Sequence, residues 1–256
     1  MPCAGWTDDD PADALDSNPK TRQRPAGEPT AAIAAGIKGS TVEIDAEAEG
    51  VRISIEFSVD LVADYHASMT TPSLLPFTGD DEADRLLAEE PLALLIGFAL
   101  DQQVTVQKAF SGPAELKRRL GHLDAARIAG MDPTELDAVF RERPALHRFP
   151  GSMATKIQAL AAAIAAEYDN DARRVWTEAV DGPDLEKRLL GLPGFGEMKV
   201  KSLIAVLGKR FGVRPPGYDA VAPDWPTLGD VDSAEALATY QAGKRAHKAA
   251  MRAGGG

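Results

Sequence analysis

Residues 189–201 read Leu-Leu-Gly-Leu-Pro-Gly-Phe-Gly-Glu-Met-Lys-Val-Lys. This pattern predicts a helix that ends near Leu190, a tight reversal in which Gly194 and Gly196 take positive φ, and a new helix from about Gly196. The first turn of a helix carries unpaired N–H groups and the positive end of the helix dipole. Such a bend is therefore a small anion site, fit for a phosphate. Lys199 and Lys201 add mobile positive charge beside it. The competing reading is a plain corner between two helices whose glycines serve packing alone. The flanking Leu192-Pro193, the helix on each side and the clustered lysines favour the anion site.

Other chemistries find little support. The sole cysteine, Cys3, excludes an internal disulfide framework and any iron–sulfur cluster or zinc site needing several thiolates from this chain. His66, His122 and His147 lie far apart without ligand spacing, so no metal site is expected.

The elements that must position the bend follow from composition and period. The chain has 256 residues and a net charge of −11. Residues 1–68 hold thirteen acidic and five basic side chains, so most of the acidity sits in a leader. Between Gly191 and Arg214 the balance reverses: Lys199, Lys201, Lys209, Arg210 and Arg214 face only Glu197. The low overall pI therefore does not argue against a nucleic-acid partner. No apolar run approaches the roughly 18 residues of a membrane span. The N-terminus lacks a basic-then-apolar signal, so a cytoplasmic chain with no membrane partner is expected.

Residues 1–40, rich in Asp, Pro, Ala, Gly and Thr, show no sustained period and read as disordered. Val42, Ile44 and Ala46, then Val51, Ile53, Ile55, Phe57 and Val59, alternate with polar residues around Glu49-Gly50, which predicts a β-hairpin over 41–59. Met69 opens what reads as a second beginning. The division expected is thus an acidic appendage, 1–68, disordered or a short hairpin, and a functional unit, 69–256. One reading even makes the start at Met1 a misassigned one.

From Asp80 onward the pattern is helical. Pro91 sits at a first helical turn; Ile157, Leu160, Ala161 and Ile164 form one apolar face, and Val200, Leu203, Ile204 and Leu207 another. Pro113, Pro133, Pro144, Pro150 and Pro183 read as breaks between helices. The unit is predicted to be all-α.

Leu192-Pro193-Gly194-Phe195-Gly196 resembles the hairpin of the helix-hairpin-helix–GPD superfamily of base-excision DNA glycosylases, which includes endonuclease III. Two more segments match in order: Pro91–Ile96 followed by Asp101-Gln102-Gln103, and Phe149–Lys156. The likeness covers roughly 75–215, and looks most like a branch found in high-GC bacteria. It implies a two-lobed helical fold with a DNA cleft, binding of duplex DNA holding a damaged or mismatched base, and flipping of that base before its glycosidic bond is cut. It places Gly194, Phe195, Gly196, Lys199 and Lys201 at the DNA backbone, gives Gln103 the gap left by the flipped base, and sets Lys156 near the DNA path. The competing reading of Gln102 and Gln103 is a polar helix end, and that of Lys156 a surface lysine.

Departures from the pattern are equally informative. Family members that also cut the strand carry a nucleophilic Lys where this chain has Met198, and a thioether cannot form a Schiff base. The resemblance therefore implies a monofunctional glycosylase. The carboxylate that stabilises the sugar cation falls to Asp219, with Asp224 in reserve; both also read as solvated loop carboxylates. The four cysteines of iron–sulfur members are missing from 221–256. No cofactor is implied, although the hairpin leaves room for a monovalent cation. Tyr218 and Trp225 offer stacking surfaces, and Lys244, Arg245, His247, Lys248 and Arg252 a basic tail. The enzyme is expected to act as a monomer. The alternative functions are a non-catalytic helix-hairpin-helix DNA-binding protein that has lost its acid, and a helical protein-interaction scaffold.

Overall fold

The computed structural model describes the backbone over 32–38, 41–48, 51–58 and 69–253, and side-chain surroundings over 69–246. The chain divides into two compact units between Phe57 and Ser58, upstream of the boundary expected at Met69. In the first unit, strands β1 (Ala32–Lys38), β2 (Thr41–Ala48) and β3 (Val51–Ser58) form one sheet in the order β1-β2-β3. β1 and β2 are antiparallel, in register from Ala32 opposite Glu47 to Lys38 opposite Thr41. The expected hairpin is thus two strands of a three-stranded sheet. The expectation that 32–38 belongs to a structureless leader is corrected. Ala34-Ala35-Gly36 between Ile33 and Ile37 leaves too few large apolar residues to show a period, and pairing with β2 supplies what local pattern does not announce. The disorder expected for 1–31 lies outside the described residues.

From residue 69 on, the described residues hold eleven α-helices, one 3-10 turn and no strand, so this unit is all-α. Helix α1 (Asp81–Glu89) is capped by Asp80, whose carboxylate accepts from the Glu82 and Ala83 N–H groups at 2.9 Å each. Helix α2 (Pro91–Leu100) is apolar on every side, and every residue after Pro91 is buried. A helix without a polar face is stable only when enclosed. α1, α3 (Val106–Leu120) and α6 (Pro150–Glu167) enclose it. Helices α4 (Ala125–Ala129) and α5 (Pro133–Arg141) cover α6, burying the predicted face of Ile157, Leu160, Ala161 and Ile164.

A second group of helices carries the bend: α7 (Arg174–Thr177), α8 (Gly182–Leu190), α9 (Glu197–Arg210), α10 (Tyr218–Val221), the 3-10 turn Leu228–Asp230 and α11 (Ala234–Ala253). α8 and the 3-10 turn pack on α9, whose face of Val200, Leu203, Ile204 and Leu207 is fully buried. One contiguous apolar core runs through both groups.

Pro133, Pro150 and Pro183 do open helices. Pro113 does not: it lies buried inside α3. An interior proline loses one helical hydrogen bond at about 3 kcal/mol, so tertiary packing has overridden the local break. The α2–α3 contact shows how. The position a Gly97 Cβ would occupy is 2.6 Å from the Phe110 ring, and that of a Gly112 Cβ is 2.5 Å from a Leu100 methyl. Each helix is notched where the other projects. Gly97→Ala should lower unfolding stability by about 1–3 kcal/mol in a urea titration, and Phe110→Leu in the same chain should recover part of the loss. An unchanged midpoint in Gly97→Ala would mean that the two helices do not approach this closely.

Candidate functional site

The bend forms as the sequence predicts, with one amendment. α8 ends at Leu190 and α9 begins at Glu197. Gly194 has φ +87° with open space where a side chain would stand, but Gly196 is extended at φ −103° and serves as the N-cap. Gly196 has no side chain with which to cap α9; its carbonyl takes the Lys199 N–H at 3.0 Å, which leaves the Glu197 and Met198 N–H groups to an outside acceptor. Gly194 and Gly196 are exposed, whereas Leu192 and Phe195 are buried and anchor the turn in the core. Phe195 can therefore meet a ligand through its backbone only.

Lys199 turns inward from α9. Its ammonium donates to the Gly194 carbonyl at 3.2 Å and to the Ala99 carbonyl at the end of α2 at 3.0 Å. It thereby ties the bend to the loop after α2. Burial pushes its pKa down to about 8, Asp101 opposing the shift and Lys156 adding to it. Met198 stands on the opposite side, 70% exposed. Lys201 is engaged elsewhere: it pairs with Glu186 at 2.8 Å and donates to the Val221 carbonyl at 2.8 Å, holding α9 to α8 and α10.

The loop after α2 is the second half of the site. Gln103 is exposed with φ +55°, in the left-handed region that costs a non-glycine residue about 1 kcal/mol or more. Strain of this kind survives only where neighbours impose it, and the neighbours are identifiable. Gln102 donates to the Ala99 carbonyl at 3.2 Å and accepts from the Lys156 ammonium at 3.0 Å. The Gln102 carbonyl accepts from Nε2 of buried His147 at 2.9 Å, while Nδ1 of that ring accepts from the Phe149 N–H at 3.1 Å. From α11, Gln241 donates to Gln107 at 2.8 Å. Residues 139–144, just before His147, are pinned in turn by the buried Arg119 guanidinium, which donates to the carbonyls of Val139, Glu142 and Pro144.

Asp101, which sequence reasoning passed over, caps the C-terminal end of α2 and is half-buried. Burial pushes its pKa up, against the pull of Lys244 and Lys199. A readable signal existed: an acid at the negative end of a helix dipole is misplaced on local grounds. Asp219 and Asp224 are both exposed, Asp219 on the four-residue α10 and Asp224 in the loop beyond it. Tyr218 is buried with its hydroxyl donating to the Ile204 carbonyl at 3.2 Å, which corrects its expected role as a stacking surface; Trp225 remains 43% exposed. Phe149 is exposed and lies under the Arg148 guanidinium, 4.7 Å from its ring centre. The side chains of His247, Lys248 and Arg252 lie outside the described residues.

A separate cleft of about 190 Å³ opens at the N-terminal end of α2, among Met69, Leu87, Pro91, Leu94, Trp176 and Phe211, and holds none of these groups. No cluster of three His, Cys, Asp or Glu residues able to hold a metal occurs among the described residues, and no described helix is long and apolar enough to cross a membrane.

His147 accepts a backbone N–H at Nδ1, so protonation breaks that bond. Burial keeps its pKa below the ordinary 6.5. The folded state thus binds fewer protons than the unfolded chain, and the stability from neutral His147 is complete above about pH 6.5 and lost as pH falls through the depressed value. His147→Gln should flatten the dependence of the unfolding midpoint between about pH 7 and pH 5; an equally steep dependence would remove His147 from this account. Compared with known proteins, the chain matches no family model, no curated protein and no solved structure.

Proposed function

We propose that the chain is a DNA-binding enzyme of the helix-hairpin-helix glycosylase type, which hydrolyses the N-glycosidic bond of a damaged or mismatched base in duplex DNA. One observation carries this reading: a single lysine side chain links an exposed, uncapped glycine turn to a loop bearing an exposed, backbone-strained glutamine. The turn offers N–H groups and a helix dipole to a phosphate. Gln103, four residues along the chain from Ala99, offers a rigidly based amide to the space that an extruded base vacates. The grouping of α1–α6 and α7–α11, bridged by Lys199–Ala99, Gln241–Gln107 and Thr70–Phe211, suits a two-lobed fold with the DNA between the lobes.

The residues then divide the work. Phosphate lies on the first turn of α9, where Gly194 admits a close approach. Gln103 enters the stack. Once the base is out, departure of its nitrogen leaves positive charge on the sugar, and a carboxylate lowers the energy of that state. The resemblance assigns this role to Asp219, which the structure leaves exposed to water. Met198 supplies no amine, and Lys199 spends its ammonium on two carbonyls, so the product is an abasic site with the strand intact. The exposure of both Asp219 and Asp224 favours one second reading, a DNA-binding protein that cuts nothing.

The test is binding followed by chemistry. Full-length protein should bind a duplex holding an abasic analogue more tightly than undamaged duplex, with affinity falling steeply as salt rises. Gly194→Val, which forces a β-branched side chain to positive φ and fills the open face, should weaken binding by about tenfold or more. Salt-independent binding, or none, rejects the reading. Base release from a lesion panel without strand nicking, and without a borohydride-trapped adduct, separates the enzyme from the binder. A trapped adduct that disappears in Lys199→Ala overturns the monofunctional assignment.

A further inference from the structure

We propose that Asp101, held beside Lys199 where α2 meets the glycine turn, is the carboxylate that faces the sugar of the extruded nucleotide. The inference rests on the DNA-glycosylase reading and names the residue that reading lacks. Placement carries it. Asp101 lies two residues after Ala99, whose carbonyl takes the Lys199 ammonium that also binds the Gly194 carbonyl of the bend. It lies two residues before strained Gln103. A sugar whose phosphate rests on the bend and whose base has given way to Gln103 must pass between those two points.

The electrostatics agree. A carboxylate at the C-terminal end of a wholly apolar helix opposes the helix dipole and loses water. Among the described residues it has no hydrogen-bond or ion-pair partner within 4.0 Å, so its oxygens are uncommitted. The charges facing it come from three elements: Lys199 of α9, Lys244 of α11 and, through Lys199, Lys156 of α6. Tyr240 of α11 also senses its charge. Desolvation raises its proton affinity, and two cations at a distance offset part of that rise. This is the setting of a base and of a partner for a developing cation. Asp219 and Asp224 stand in water, where one charge interacting with another is worth far less.

In the step so assigned, a water oxygen bonds to C1′ as the C1′–N bond breaks. The bonding pair leaves with the base, whose nitrogen takes a proton from solvent. Asp101 accepts the proton lost by the attacking water and returns it to solvent.

The experiment uses full-length protein and two duplexes alike except at one site: a pyrrolidine abasic analogue, cationic at neutral pH, or a neutral tetrahydrofuran analogue. Wild type should prefer the cationic duplex by about tenfold, the equivalent of one favourable charge interaction. The preference should fall below about threefold in Asp101→Asn and persist in Asp219→Asn. A preference that persists in Asp101→Asn, or disappears in Asp219→Asn, overturns the inference, as does equal binding of both duplexes by wild type. Failure of wild type to bind either duplex instead rejects the DNA reading itself. If Asp101→Asn does not fold by thermal melting, Lys244→Met carries the test: losing that compensating charge, which lies outside the joint between turn and loop, should raise the cationic preference, and a fall overturns the proposal.

Discussion

The half-buried ammonium of Lys199 is the constraint around which the rest of the helical unit is arranged. It joins the carbonyl of a glycine turn to one carbonyl in the last turn of an apolar helix. A cation at a helix C-terminus is electrostatically well placed, and here it also neutralises peptide dipoles that the apolar surroundings of α2 cannot solvate. Charge-assisted bonds to two segments that belong to different helix groups make their relative position specific rather than merely compact. The cost appears in the depressed pKa of the lysine, and Asp101 offsets part of it.

Around that joint the neighbouring residues act as a rigid mount. Gln102 is held on three sides, by Ala99, Lys156 and His147, so that Gln103 beside it can be strained and still point outward. His147 is held by its own chain, and that chain by Arg119. Each layer fixes the next through directional hydrogen bonds to backbone carbonyls. Backbone acceptors do not depend on side-chain rotamers, which suits a site whose groups must keep their spacing while a large polyanion docks.

Much of this was legible in the sequence. The period-3.6 faces of α6 and α9, the proline at the start of α2, the break at Leu190 and the positive φ of Gly194 follow from local chemistry, and the structure has them. Local chemistry also put a lysine at 199 beside the bend. It could not say that the side chain would reach Ala99, a partner a hundred positions away in the chain. Pro113 was misread for the same reason, because its helix is sustained by α2 and not by its own residues. Gly196 was given a positive φ that the N-cap geometry does not need. His147 and Arg119 act through contacts between distant segments, and no spacing rule announces them. β1 escaped notice because its strand character lies in its partner.

The long separation between Lys199 and Ala99 has a consequence for how the molecule comes together. Helices α2 and α3 are neighbours in sequence and can dock early, whereas the joint between α9 and α2 closes a loop of about a hundred residues, an entropic cost that rises with the logarithm of loop length. The joint is therefore a late part of the helical unit to assemble during folding. By the same reasoning it opens early in the native ensemble, and in amide exchange the 99–103 loop and the first turn of α9 should lose protection together, ahead of the enclosed α2.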